Sequence, residues 1–201
     1  MKSLSYISLL TIITLTSFKL KESTATVKDY FNLSNPVEFN KINYSLSWSA
    51  HPAENYYKQE YLSGNEKSES FNKMVMIEAA IGNISLPDAV KAKINELEQR
   101  KKNDPLANYQ VIKNQKNGEY ILDFIMGQST GGKTSVAEWN AYRYMPLVNI
   151  AGKTGILLFA YSKRAYGTSI PNFLTSLKKE RLNDINILLV YKMPAIRMTG
   201  N

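Results

Sequence analysis

From Tyr109 onward the apolar residues of this chain recur at every second position, and Asn117-Gly118 stands between two such runs. A period of two selects extended strands, and Asn-Gly supplies the left-handed backbone that joins neighbours in a hairpin. Tyr120, Leu122, Phe124 and Met126 share one side of a strand. Ser135 to Met145 supplies the next, and Ile156 to Tyr166 follows the turn Gly152-Lys153-Thr154-Gly155. This stretch predicts an antiparallel meander.

The segment Thr26 to Glu38 has weak periodicity and reads as a lead-in. Phe39 to Trp48 and Tyr56 to Leu62 predict a hairpin with Tyr44, Leu46 and Trp48 on one face and His51-Pro52-Ala53-Glu54-Asn55 as its turn. After the polar loop Gly64 to Ser70, the apolar run Met74 to Ile81 predicts a central strand covered on both faces. Ser85, Pro87 and Asp88 form a capping signature for a helix with the stripe Leu86, Val90, Ile94 and Leu97. Glu96 with Arg100 and Glu98 with Lys102 are favourable i,i+4 pairs on its outer side, and Asp104-Pro105 ends it. Ser169 and Pro171 open a second helix carrying Ile170, Phe173 or Leu174, Leu177 and Arg181, and Ile185 to Tyr191 predicts a last strand. Hairpin signals outweigh strand and helix alternation. The expected class is α+β, a mostly antiparallel sheet of about seven or eight strands packed by two amphipathic helices, in one domain over residues 26–201.

Residues 1–25 carry a different message. Lys2 precedes an apolar run from Leu4 to Phe18, and Ser23-Thr24-Ala25 offers small residues for a signal peptidase, so this segment predicts export and cleavage before Thr26. The run is too short, and with Thr11, Thr14 and Thr16 too polar, to span a bilayer, so no transmembrane anchor is expected in the mature chain. The expected location is periplasmic or extracellular. Removing the segment takes away Lys2, Lys19, Lys21 and Glu22 and lowers the net charge from +8 to +6. A basic surface speeds encounter with anionic partners without defining a chemistry. No cysteine occurs, which excludes disulfides, lipidation at cysteine and thiolate metal sites.

The order of a hairpin, a helix, a meander, a second helix and a final strand behind an export segment resembles the sandwich fold of the photosystem extrinsic PsbP-like proteins and related bacterial envelope proteins. The stretch from Tyr57-Lys58-Gln59-Glu60-Tyr61 through Ala137-Glu138-Trp139-Asn140-Ala141-Tyr142-Arg143-Tyr144 is similar to uncharacterised exported bacterial proteins. That second resemblance implies no catalytic residue, since none is established for such proteins.

Several motifs suggest chemistry. Gly127-Gln128-Ser129-Thr130-Gly131-Gly132-Lys133-Thr134 satisfies the P-loop pattern. A working P-loop opens a helix, whereas Val136 to Tyr144 is aromatic and strand-like, so a hairpin loop is expected and no nucleotide cofactor. Gly127-x-Ser129-x-Gly131 is likewise a nucleophile-elbow pattern without its helix, and the single histidine, His51, precedes Ser129 in the wrong chain order for that hydrolase fold. One histidine without cysteine predicts no histidine-based metal site. Ser176-Leu177-Lys178-Lys179 has the Ser-x-x-Lys spacing but lies on an amphipathic helix without companion motifs. A pairing centred on the Gly-rich turn places Asp123 opposite Glu138 and Ile121 opposite Asn140, two neighbouring carboxylates that need Arg143 or Arg164 as compensation, or that serve as an acid and base pair.

Trp139, Tyr142, Arg143, Tyr144, Tyr161, Lys163, Arg164 and Tyr166 interleave aromatic and basic groups on two strands expected to be neighbours. Such a face stacks ligand rings and holds anions. The leading expectation is a non-enzymatic exported protein that binds a ligand or envelope partner through Glu138, Asn140, Tyr142 and Arg164, on the sheet face the helices leave open. The competing expectation is a secreted hydrolase using Ser129 or the Asp123 and Glu138 pair. No nucleic-acid partner is expected, as no RNA-binding signature is present.

Overall fold

The computed structural model describes residues 27–33, 35–148 and 152–198. The expected export segment, residues 1–25, lies outside them. Four strands come first: β1 (Val37–Phe39), β2 (Ile42–Ala53), β3 (Tyr56–Leu62) and β4 (Lys73–Ile81). Helix α1 (Leu86–Lys101) leads into β5 (Asn108–Lys113), β6 (Tyr120–Thr130), β7 (Lys133–Val148) and β8 (Thr154–Tyr166), and a short 3-10 turn delivers the chain to α2 (Ile170–Val190). The strands form one sheet, ordered β1-β2-β3-β4-β8-β7-β6-β5, with every neighbouring pair antiparallel. This is the expected α+β class, with β4 in the middle of the sheet.

The two helices lie on opposite faces, so neither face of the sheet is left open by both, contrary to the expectation of a helix-free binding face. Val90 and Leu97 of α1 are buried against Met76, Leu122, Phe124, Tyr144, Leu158 and Ala160. Leu177, Ile185 and Leu188 of α2 close the larger core on Val75, Ile77, Ile121, Trp139, Phe159 and Tyr161. The side-chain period of two sorts each strand between these cores, so β7 sends Trp139, Ala141 and Arg143 toward α2 and Glu138, Asn140, Tyr142 and Tyr144 toward α1. Beyond α2, the segments on either end of the described chain complete its face. Phe31 is fully buried, Gln59 Oε1 accepts from the backbone amides of Tyr30 at 2.7 Å and Phe31 at 3.1 Å, and Arg197 donates its backbone amide to the Phe31 carbonyl at 3.0 Å.

Helix α1 starts as its sequence predicts. Ser85 accepts the Asp88 backbone amide at 3.2 Å, and Asp88 sits in the first turn, where the helix dipole favours a negative charge. Ser85→Ala is expected to lower stability by about 1 kcal/mol, read from the midpoint of urea unfolding; an unchanged midpoint contradicts the capping role. The expected i,i+4 pairs are not formed. Arg100 turns inward to Asp104 and to the Gly127 carbonyl and Lys102 donates to Gln99, while Glu96 pairs with Lys93 at 2.7 Å and Glu98 with Lys101 at 2.9 Å.

Three further expectations are corrected. The run Ile185 to Tyr191 is not a strand, since the helix continues through Val190, with Asp184, Ile185 and Leu188 buried at helical spacing. A continuous apolar run has no period of its own, and only packing decided between the two states. Trp48 does not share a face with Tyr44 and Leu46: two residues of β2 oppose one of β3 between Leu46 and Trp48, and this bulge turns Trp48 to the α1 side, 42% exposed. The β2–β3 turn is Glu54-Asn55, with His51 still in the strand, stacked on Tyr57 at 4.0 Å and bonded to the Tyr56 carbonyl at 3.0 Å.

Candidate functional site

The Gly-rich octapeptide is resolved by its backbone. β6 runs through Thr130 and β7 begins at Lys133, leaving Gly131 and Gly132 as a two-residue turn with φ of +59° and +75°. Both central positions of a tight hairpin of this twist need positive φ, which glycine adopts without strain. Gly127 serves packing instead. Its amide donates to Asp104 at 2.7 Å, its carbonyl accepts from Arg100 at 2.6 Å, and a Cβ there would meet Leu106 at 3.0 Å. The pattern therefore joins a hairpin turn to a docking point for the C-terminal end of α1.

This turn also sets the register. It lies one residue later than the centre used to pair Asp123 with Glu138, and a bulge between Gln128 and Ser129 adds one more step. Asp123 consequently opposes Ala141, and Glu138 opposes Met126. An odd shift moves side chains to the other face, so Asp123 points toward α2 and Glu138 toward α1. Glu138 is paired with its cross-strand neighbour Arg164, which donates from Nε at 2.6 Å and from Nη2 to the same oxygen. Asp123 accepts from Trp139 Nε1 at 2.6 Å. The acid and base pair is not assembled. Ser129 is exposed on β6, while His51 stands on β2 with four strands between, a separation on the order of 24 Å.

Burial raises the Asp123 carboxyl above its ordinary value of 3.8, against the lowering effects of Trp139 and Arg181. A carboxyl that holds its proton more tightly when folded contributes stability at low pH, and that contribution falls as pH rises through 3.8 toward the folded value. The stability of Asp123→Asn relative to wild type should therefore improve from acid toward neutrality, as read by unfolding at several pH values. A difference that stays flat contradicts this.

The four residues expected to bind stand together on the α1 face, in one row on β7 and beside it on β8. They do not have equal access. Asn140 is fully buried and accepts from Ser162 Oγ at 2.6 Å. Glu138 and Arg164 border a cavity of only about 130 Å³ beside Arg100, and Arg164 also stacks over Phe71 at 3.9 Å. Half-buried Tyr142 opens on something larger. α1 leans over the β5–β6–β7 part of its face, and between the helix and β3, β4 and β8 lies a groove of about 410 Å³.

The groove is aromatic and aliphatic at its floor and charged along its rims. Tyr56, Tyr142, Tyr144, Ile156 and Leu158 come from the sheet, and Ala89 and Ala92 from α1. Tyr56 donates its hydroxyl to Glu78 at 2.5 Å, and Lys58 reaches Glu78 at 3.6 Å and Glu60 at 3.4 Å. On the helix side Lys93 pairs with Glu96 and lies 6.0 Å from the centre of the Tyr142 ring. Burial holds the Tyr56, Tyr142 and Tyr144 hydroxyls above the ordinary phenol range, with nearby Glu78 adding to each shift, so they remain neutral hydrogen-bonding groups. The alternation of β3, β4 and β7 could reveal which residues share this face; the gap beside α1 depends on where the helix crosses the sheet, which no local pattern records. Among the described residues no cluster of three or more histidine, cysteine, aspartate or glutamate side chains is arranged to hold a metal ion, and no helix is long and apolar enough to cross a membrane.

Fold and site define an α+β protein with a helix on each face of one antiparallel sheet and a mixed apolar groove beside the first helix. The model of an uncharacterised protein family matches residues 31–193, and the chain belongs to that family. No curated protein and no solved structure matches it. The PsbP-like sandwich fold is not confirmed, and the final strand that its element order required is helical here.

Proposed function

We propose that the protein is exported and acts without catalysis, binding a small amphipathic ligand, apolar over most of its body with one polar end, in the groove between α1 and the sheet. The groove carries this reading: at about 410 Å³ it falls in the range of small-molecule pockets, roughly 300–1,000 Å³, and combines an aromatic floor with two lysines and two glutamates at its edges. Its charges balance, so a mostly neutral body fits better than a strongly charged one. The pattern of residues 1–25 supports export, and the separation of Ser129 from His51 and of Asp123 from Glu138 favours binding over hydrolysis.

Ala92 is exposed on α1 and lines the groove, so Ala92→Trp fills the space from outside at little cost to folding. With 8-anilinonaphthalene-1-sulfonate as probe, the folded wild type is expected to bind saturably, and the variant about tenfold more weakly. Equal affinity in both overturns the groove as the site. Export has its own test. Expressed in a bacterial host, the full chain should be recovered from the periplasmic or extracellular fraction with a mass starting at Thr26; an uncut cytoplasmic product contradicts it.

A further inference from the structure

The opposite face holds a second cavity, about 350 Å³, between α2 and the edge formed by β5 and β6. Asp123, only 2% exposed, lines it. One carboxylate oxygen is taken by the Trp139 indole at 2.6 Å, whereas Oδ2 has no hydrogen-bond donor among the described residues. The nearest cation, Arg181 Nε, stands 3.4 Å from Oδ2. The pair balances charge without the alignment of a hydrogen bond, and a buried acceptor left without a donor is costly. Oδ2 is sealed from solvent with half-exposed Arg181 beside it, so a molecule bringing a hydroxyl or amine hydrogen into the cavity would remove this deficit as the Arg181 side chain shifts to meet it.

Charge selects between those donors. A cation would gain Asp123 and be repelled by Arg181, and an anion would meet the reverse. A neutral molecule with neighbouring hydroxyls satisfies both groups, since each hydroxyl donates one hydrogen bond and accepts others. Gln110, exposed on edge strand β5, lies at the mouth with its Oε1 3.4 Å from Arg181 Nη2, and offers an amide that both donates and accepts. Leu177 and Ile125 supply apolar walls for the carbon face of such a ligand. We infer that this cavity binds a neutral polyol, one sugar residue, with Asp123 Oδ2 accepting one hydroxyl and Arg181 and Gln110 donating to its neighbours. The site is separate from the groove beside α1 and stands or falls without it.

Trp139 makes the site readable. The chain has two tryptophans, so Trp48→Phe leaves Trp139, bonded to Asp123, as the sole indole reporter. Titrating this variant with D-glucose, D-galactose and N-acetyl-D-glucosamine, at least one sugar should change the emission saturably in the millimolar range. Adding Asp123→Asn should weaken that sugar about tenfold, as should the exposed edge substitution Gln110→Ala, which decides the matter alone if the first fails to fold. No saturable change with any of the sugars, unchanged affinity in Gln110→Ala, or a response to putrescine or acetate exceeding that to the sugars overturns the assignment.

Discussion

Arg143→Met is expected to destabilise the protein by about 3–5 kcal/mol, the usual loss when one member of a buried ion pair is removed. Arg143 projects from β7 into the α2 side with only 8% of its surface exposed. Its Nε donates to Glu119 at 2.8 Å, and its Nη1 donates to the carbonyls of Leu188 at 2.9 Å and Tyr191 at 2.7 Å. The last carbonyls of a helix have no intrahelical donor, and here the sheet supplies one. Methionine would keep much of the volume but leave Glu119 uncompensated and two carbonyls without their partner. Arg143→Lys keeps the charge and loses the fork, so an intermediate loss of about 1–2 kcal/mol is expected. Urea unfolding measures both. A midpoint shift in Arg143→Met equivalent to less than about 1 kcal/mol, with an unchanged slope, contradicts the role.

Gly155→Val should be nearly as damaging, for a purely steric reason. A Cβ at this position would lie 2.1 Å from the Ala80 carbonyl oxygen and 2.9 Å from Ile81 Cα, backbone atoms of β4. Flexible side chains swing aside from such a contact, but a strand in the middle of a sheet does not. Overpacking commonly costs about 1–3 kcal/mol, and the backbone collision places this variant at about 3 kcal/mol or more. At about 2–4 °C per kcal/mol for a chain of this size, the melting midpoint should fall by roughly 6–12 °C. A midpoint within about 2 °C of wild type contradicts the close approach of β4 and β8. Gly131→Ala offers a contrast. Nothing lies within 4 Å of a Cβ there, so its cost is only that of a left-handed residue, about 1–2 kcal/mol.

These residues also show how far local pattern carries. The meander from Asn108 to Tyr166, the capped start of α1 and the central position of β4 all follow from periods of two and 3.6 and from Ser85, Pro87 and Asp88. The P-loop likeness of Gly127 to Thr134 dissolves on the same grounds, because the aromatic alternation after it demands a strand. What stayed hidden depended on distant partners. The run after Asp184 is apolar enough for either state, and it is helical because α2 lies across the core with Arg143 at its end. The hairpin bulge at Gln128 and Ser129 has no signature in those residues, yet it separates Asp123 from Glu138 and places each in a different cavity. Glu138, Asn140, Tyr142 and Arg164 were legible as one face of two neighbouring strands, while the unequal access to them was not, since α1, Phe71 and Ser162 cover them from elsewhere in the chain.

The groove beside α1 is tested most directly by amide chemical-shift mapping of the ¹⁵N-labelled protein with 8-anilinonaphthalene-1-sulfonate. The perturbed amides should cluster at Tyr56, Glu78, Ala92, Tyr142 and Tyr144, and the cluster should vanish in Ala92→Trp. Shifts centred instead on the Gly127 to Thr134 hairpin, or a cluster that survives the tryptophan, would contradict the assignment of this face as the binding surface.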